Sequence, residues 1–200
     1  MMTQQLRIST VAALALCWVS FGCGSSHHDN APPPVAQAPL PGLVGHWLSG
    51  CVRLPAPDDL RNESRQYVYD FAANGRALEQ ETGFADAACT KATTKQVITY
   101  DYSTGGSVAG SPGAVTLDMT RSQAVLTLLD PSNKGVPDLC AEPGQVLAAG
   151  RISSCDANDV YQIVKVDAKV LYLGIVEADL GSPSQRPVVL DQTHPLQSGT

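Results

Sequence analysis

The sequence predicts one all-β domain of roughly eight antiparallel strands behind a disordered N-terminal tether, and three observations carry that expectation. Between positions 43 and 176 apolar residues alternate with a period of two rather than 3.6. No stretch there carries an amphipathic helical stripe longer than about three turns. The chain before position 43 is a short apolar run followed by Ser, His, Ala, Gln and Pro, from which no core can form. Short alternating strands of this kind close into a barrel, which abolishes exposed strand edges, or stack as a two-sheet sandwich.

The elements follow in order. Residues 43–52 form the first expected strand and residues 65–71 the second, with Tyr67, Tyr69 and Phe71 pointing one way. Asn74-Gly75 is a hairpin signal, since both residues tolerate the positive φ of a type I′ turn, and it leads into a strand over 76–84. Residues 94–103 put Ile98, Tyr100 and Tyr102 on one face, and 114–120 do the same with Val115, Leu117 and Met119. Strands over 123–129, 160–166 and 169–176 complete the set, the last two joined by a tight turn at Asp167-Ala168. Residues 105–113 read as a Gly/Ser loop and 130–159 as a long connection. The domain spans 43–193, and 194–200 read as a polar C-terminal tail.

The 200 residues are 44% hydrophobic, 16% charged and 6% aromatic, enough apolar content for a globular core. Thirteen basic against 19 acidic side chains give a net charge of -6. Removing residues 1–22, whose one charge is Arg7, leaves 12 against 19, or -7. No basic face exists for DNA or RNA, and nucleic acid drops out as a partner.

The N-terminus reads as a targeting segment. Arg7 precedes an apolar run over 11–19 that has the length of a signal-peptide core and is too short to span a bilayer. Ser20-Phe21-Gly22-Cys23-Gly24-Ser25-Ser26 then resembles the lipobox of bacterial lipoproteins, with Ser20 where Leu is usual. Cys17 fits that pattern worse, because bulky Leu16 precedes it. The resemblance implies cleavage after residue 22, acylation of Cys23 and attachment to the cell envelope, where two or three acyl chains hold a protein stably. Gly24 in place of Asp favours the outer membrane by the same resemblance. With Cys23 unmodified, the same segment would make a secreted protein.

Residues 24–42, rich in Pro32, Pro33, Pro34, Pro39 and Pro41, read as a spacer. At about 3.1 Å per residue it reaches roughly 60 Å from the lipid surface. His27, His28 and Asp29 offer imidazoles suited to zinc or copper, but two ligands on a flexible segment bind weakly, and no metal or other cofactor is expected.

Setting aside Cys17 and Cys23, four cysteines remain: Cys51, Cys89, Cys140 and Cys155. An even number in an exported chain implies two disulfides. Three pairings are possible, and the short spacing of the last two favours Cys51–Cys89 with Cys140–Cys155. A zinc site would want CxxC pairs, and none occurs.

Leu43-Val44-Gly45-His46-Trp47-Leu48-Ser49-Gly50-Cys51 contains the Gly-x-Trp that opens lipocalin barrels. With Arg65-Gln66-Tyr67-Val68-Tyr69-Asp70-Phe71, a hairpin and Cys89, it resembles the extracellular lipocalin-like modules of the vertebrate Wnt inhibitor down-regulated in adenomatosis polyposis. It is equally similar to uncharacterised bacterial outer-membrane lipoproteins with such barrels, whose closing segment resembles Val170-Leu171-Tyr172-Leu173-Gly174 and Arg186-Pro187-Val188-Val189-Leu190-Asp191. The resemblance implies a lipocalin-like β-barrel that binds a small apolar or lipid-like ligand. Candidate lining residues are Trp47, Tyr67, Tyr69, Phe71, Tyr100 and Tyr102, although an aromatic on a strand face is more often simply packed core.

Catalysis finds little support. Gly105-Gly106-Ser107-Val108-Ala109 nears a nucleophile elbow but ends in Ala and lacks a strand-turn-helix context. His46 and His194 are the two histidines in or beside the domain, and a Ser-His-Asp set would need them to meet a serine by chance. Asp58-Asp59 and Glu79/Glu81 read as solvated surface. The expected function is therefore a non-enzymatic, lipid-anchored binding barrel. The alternative is an envelope interaction lipoprotein with a filled barrel that docks onto another envelope protein.

Overall fold

In a computed structural model of the chain, the described residues are 40–57, 62–130, 159–175 and 180–199, with backbone alone at 152–155. Cys23, the spacer and Cys140 lie outside the described residues, as does the side chain of Cys155, and with them the second expected disulfide.

The strands are β1 (Gly45–Leu48), β2 (Val52–Arg53), β3 (Ser64–Phe71), β4 (Arg76–Phe84) and β5 (Ala92–Ser107). They continue with β6 (Val115–Leu128), β7 (Ile152–Cys155), β8 (Asp159–Asp167), β9 (Val170–Leu173) and β10 (Leu196–Ser198). Antiparallel pairing runs β3-β4-β5-β6-β8-β9-β10-β1, and β1 pairs back onto β3. The sheet is thus a closed eight-stranded barrel rather than a sandwich. β2 continues along β3 and β7 along β6, so each extends a ring position already occupied by β1 or β8.

The strand expected over 43–52 is split into β1 and β2, and β5 runs on to Ser107 into the expected Gly/Ser loop; three further departures from the sequence expectation have local causes. The strands expected at 114–120 and 123–129 are one strand, β6. Tyr100 pairs with Arg121 and Thr99 with Gln123, so Ser122 is an unpaired bulge residue, and its Oγ lies 2.9 Å from Thr99 Oγ1. A bulge shifts the alternation by one, which makes a continuous strand look like two. Next, the polar tail is not free: Leu196–Ser198 pairs with β1 on one side and β9 on the other and closes the ring. Finally, the Asn74-Gly75 hairpin forms, but Gly75 takes a φ of 80° and Asn74 no positive φ, so the turn is not type I′. Gly75 N–H donates to Ala72 O, and Ala72 N–H to Arg76 O, which suits an ordinary turn followed by a left-handed glycine.

The interior is packed around Trp47, Phe71, Tyr102, Leu117, Leu171 and Leu196, which belong to one buried cluster. Phe71 and Tyr102 meet edge to face at 5.1 Å, and Trp47 Nε1 donates to Leu43 O at 2.8 Å. Burial of each such aliphatic or aromatic side chain stabilises by about 1.5–3 kcal/mol. The Cys51–Cys89 disulfide, with Cα atoms 5.8 Å apart, ties the chain after β1 to the loop after β4. In that loop Asp86 accepts backbone N–H bonds from Ala88, Thr90 and Lys91, holding Cys89 at a φ of 55°.

Residues 180–191 run as a strap along β8 and β9, with Tyr161 N–H bonded to Leu180 O and Asp191 N–H to Leu173 O. Arg186 pins the strap: Nη1 donates to Gln162 O at 2.7 Å and Nη2 lies 2.6 Å from Asp118 Oδ1, with the guanidinium over the Tyr161 ring.

Candidate functional site

Alternation along β3 turns Tyr67, Tyr69 and Phe71 inward, and the hairpin register then decides what faces them. Tyr67 pairs with Glu81, Tyr69 with Glu79 and Phe71 with Ala77. In an antiparallel pair, opposed residues share a face, so both glutamates enter the barrel with the tyrosines. Glu79 and Glu81 are therefore walls of the barrel interior and not the solvated surface that their spacing predicts. Ile98 and Tyr100 join them from β5, Met119 and Arg121 from β6, Gln162 from β8 and Leu173 from β9.

These side chains surround two adjoining lobes of about 360 Å³ and about 470 Å³ that share Tyr69, Glu79, Gln162 and Leu173. The first lobe is lined on its apolar side by Ile98, Met119, Val160 and Leu173. The second reaches Arg65, Tyr67, Asp191, His194 and Leu196. Part of the barrel interior is therefore space rather than core.

Glu79 sits at the junction. Its Oε1 accepts from Tyr69 Oη at 2.8 Å and its Oε2 from Tyr100 Oη at 2.7 Å. Burial pushes its carboxyl above the usual range, against the opposing pull of the two phenols and of the Arg121 charge. Burial and the neighbouring Glu79 push Tyr69 and Tyr100 up in turn, so both phenols keep their protons and act as donors. Glu81 is held by Arg65, whose Nη1 lies 3.2 Å from Oε1. Arg121 Nε is buried without a hydrogen-bond partner among the described residues.

Asp191 closes the second lobe. Burial opposes its ionisation but is outweighed by bonds from Thr193 N–H and Oγ1 and from His194 N–H and ring, which hold it at about 2. His194, expected in a free tail, is a cavity wall instead. His46 lies on the outer face, its Nδ1 2.5 Å from Asp70 Oδ1.

Of the six expected lining residues, Tyr67, Tyr69 and Tyr100 line the cavity. Trp47, Phe71 and Tyr102 line neither lobe and are packed core, and Tyr100, 2% exposed, belongs to the same buried cluster while also meeting the first lobe. Tyr102 Oη is used up by Ala72 O at 2.9 Å. The charged residues Glu79, Glu81, Arg65 and Arg121 escaped the sequence reading. The signal was present: once Asn74-Gly75 sets the hairpin, counting outward places both glutamates opposite Tyr67 and Tyr69.

No protein-family model matches the chain, and no curated protein matches it.

Proposed function

We propose that this chain is a lipid-anchored binding protein of the bacterial cell envelope, whose barrel admits one small amphiphilic molecule. The observation that carries the reading is the unfilled interior, two lobes sharing Tyr69, Glu79, Gln162 and Leu173. Eight strands leave room for side chains or for one small ligand, and pockets that hold small molecules have volumes of this order. The lining assigns parts to the ligand: an apolar body against Ile98, Met119, Val160 and Leu173, and a polar group at Glu79. Of the small apolar or lipid-like ligands that the resemblance implies, this lining favours one with a polar head group. The anchor rests on the lipobox-like segment around Cys23, and the envelope location follows from it.

The alternative, an interaction lipoprotein, draws on Val188 and Val189, which are 63% and 55% exposed on the strap. Two adjacent valines make a small patch, and scattered exposed apolar residues are ordinary.

The test is native mass spectrometry of the full chain purified from its own membranes and, separately, after incubation with lipid extract. A bound species of discrete mass is the expected result. A chain that carries nothing in either preparation would end the binding reading and favour the docking one.

A further inference from the structure

We infer that the molecule the barrel takes is an organic cation, an amine on an apolar body, whose ammonium group seats at Glu79 beside Tyr69 and Tyr100. The inference rests on the reading of the barrel as a binding module and specifies the ligand's charge.

The cavity carries the first part of the argument. The walls of its two lobes hold four carboxylates, Glu79, Glu81, Asp159 and Asp191, against two guanidinium groups, Arg65 and Arg121. Four minus two leaves a formal excess of two negative charges before His194, which sits on Asp191, is counted, and low-dielectric walls focus that field on the interior.

The second part is the uneven pairing of those charges. Arg65 is engaged with Glu81, and His194 with Asp191. Glu79 is not paired in this way. Both its hydrogen bonds come from neutral phenols, and among the described residues no ion pair reaches it, although the Arg121 charge pulls on it across the cavity. A carboxylate taken out of water is costly unless a positive charge compensates it, and neutral donors compensate in part. An ammonium group entering the shared part of the lobes meets this carboxylate first. Tyr67, Tyr69 and Tyr100 line the same space, and tyrosine rings attract cations within about 6 Å of their centres. Leu173, Ile98, Met119 and Val160 are then the surface for the rest of the molecule.

Arg121 argues for the opposite charge, since its buried Nε has no hydrogen-bond partner among the described residues and would donate to a ligand anion. One guanidinium facing a surplus of carboxylates is outvoted, and an anion placed there would also confront Glu79. An anionic arm in the experiment measures this directly.

The experiment is isothermal calorimetry on the full chain at pH 7 with three probes of one chain length: octylammonium, octanol and octanoate. Octylammonium should bind at least about tenfold more tightly than either of the others, the value expected for one hydrogen bond to a charged group. Glu79→Gln should bring octylammonium down to the level of octanol and leave octanol unchanged. Equal binding of octylammonium and octanol, or tightest binding of octanoate, overturns the cation while leaving the barrel a binding module. Failure of all three probes overturns both. The ranking is read on the unmodified chain, so it decides the matter even where Glu79→Gln does not fold.

Discussion

Oη of Tyr100 lies 2.7 Å from Oε2 of Glu79 in the interior of the barrel, with the phenol donating. The pairing binds a neutral donor on β5 to an acid on β4, which among the described residues forms no ion pair and feels the Arg121 charge without touching it. Burial raises Glu79 above its ordinary value near 4.5, so the folded chain holds this proton to higher pH than the unfolded chain does. A group raised on folding contributes stability that is fully present below its unfolded value and is lost as pH rises through its folded value. Glu79→Gln carries no such titration. Thermal melts from about pH 4 to pH 8 should therefore show the variant gaining stability relative to the parent as pH rises. A difference that stays flat with pH would mean that Glu79 is not strained by its burial.

Asp191 behaves in the opposite sense. Its pKa is lowered to about 2, so its contribution is present above the unfolded value near 3.8 and fades as pH falls through about 2. Asp191→Asn should cost about 1–2 kcal/mol in urea denaturation at neutral pH, from weakened bonds to Thr193 and His194. Parent and variant should converge near pH 2. Equal stability at neutral pH would show that the turn into β10 does not depend on the charge.

The Cys51–Cys89 bridge closes a sequence separation of 38 residues. In the chain-entropy model, removing it with Cys51→Ala/Cys89→Ala costs about 3–4 kcal/mol. For a domain of this size that lowers Tm by roughly 10 °C, measurable by circular dichroism.

Arg186 fastens the strap to the barrel through Asp118, the carbonyl of Gln162 and the face of Tyr161. Arg186→Met keeps the length of the side chain and loses the donors, and should cost about 2 kcal/mol in the same denaturation assay. Hydrogen exchange should rise at Ile175 and Asp191, whose N–H groups bond across the strap, and leave β3–β5 unchanged. Uniform loss of protection would make the strap part of the global core.

Cys23→Ser tests the anchor. The parent chain expressed in a bacterium should incorporate labelled palmitate and pellet with membranes, whereas the variant should do neither and appear in the soluble envelope fraction. Label retained by the variant would move the acylation to another residue.

Much of the sheet could be read in advance from nearest-neighbour rules. The alternation of Tyr67, Tyr69 and Phe71, the turn at Asn74-Gly75 and the pairing of Cys51 with Cys89 depend on residues close in sequence or on a count of cysteines. β6 looks like two strands in the sequence because one bulge residue, Ser122, inverts the pattern midway. β10 was invisible because a strand of three residues has no periodicity of its own and forms only between two partners already in place.

The all-β domain and its hairpins follow from local periodicity and turn chemistry alone, whereas the Cys51–Cys89 bridge was one of three possible pairings and was favoured only by spacing. Alternation separates the two faces of each strand but cannot say which one looks inward. Closure of the ring decided that, through contact between β1 and a strand about 150 positions away. It sent Trp47, Phe71 and Tyr102 into packed core and left Tyr67, Tyr69 and Tyr100 beside open space. With them it enclosed Glu79 and Glu81, whose charge any strand pattern would place in water.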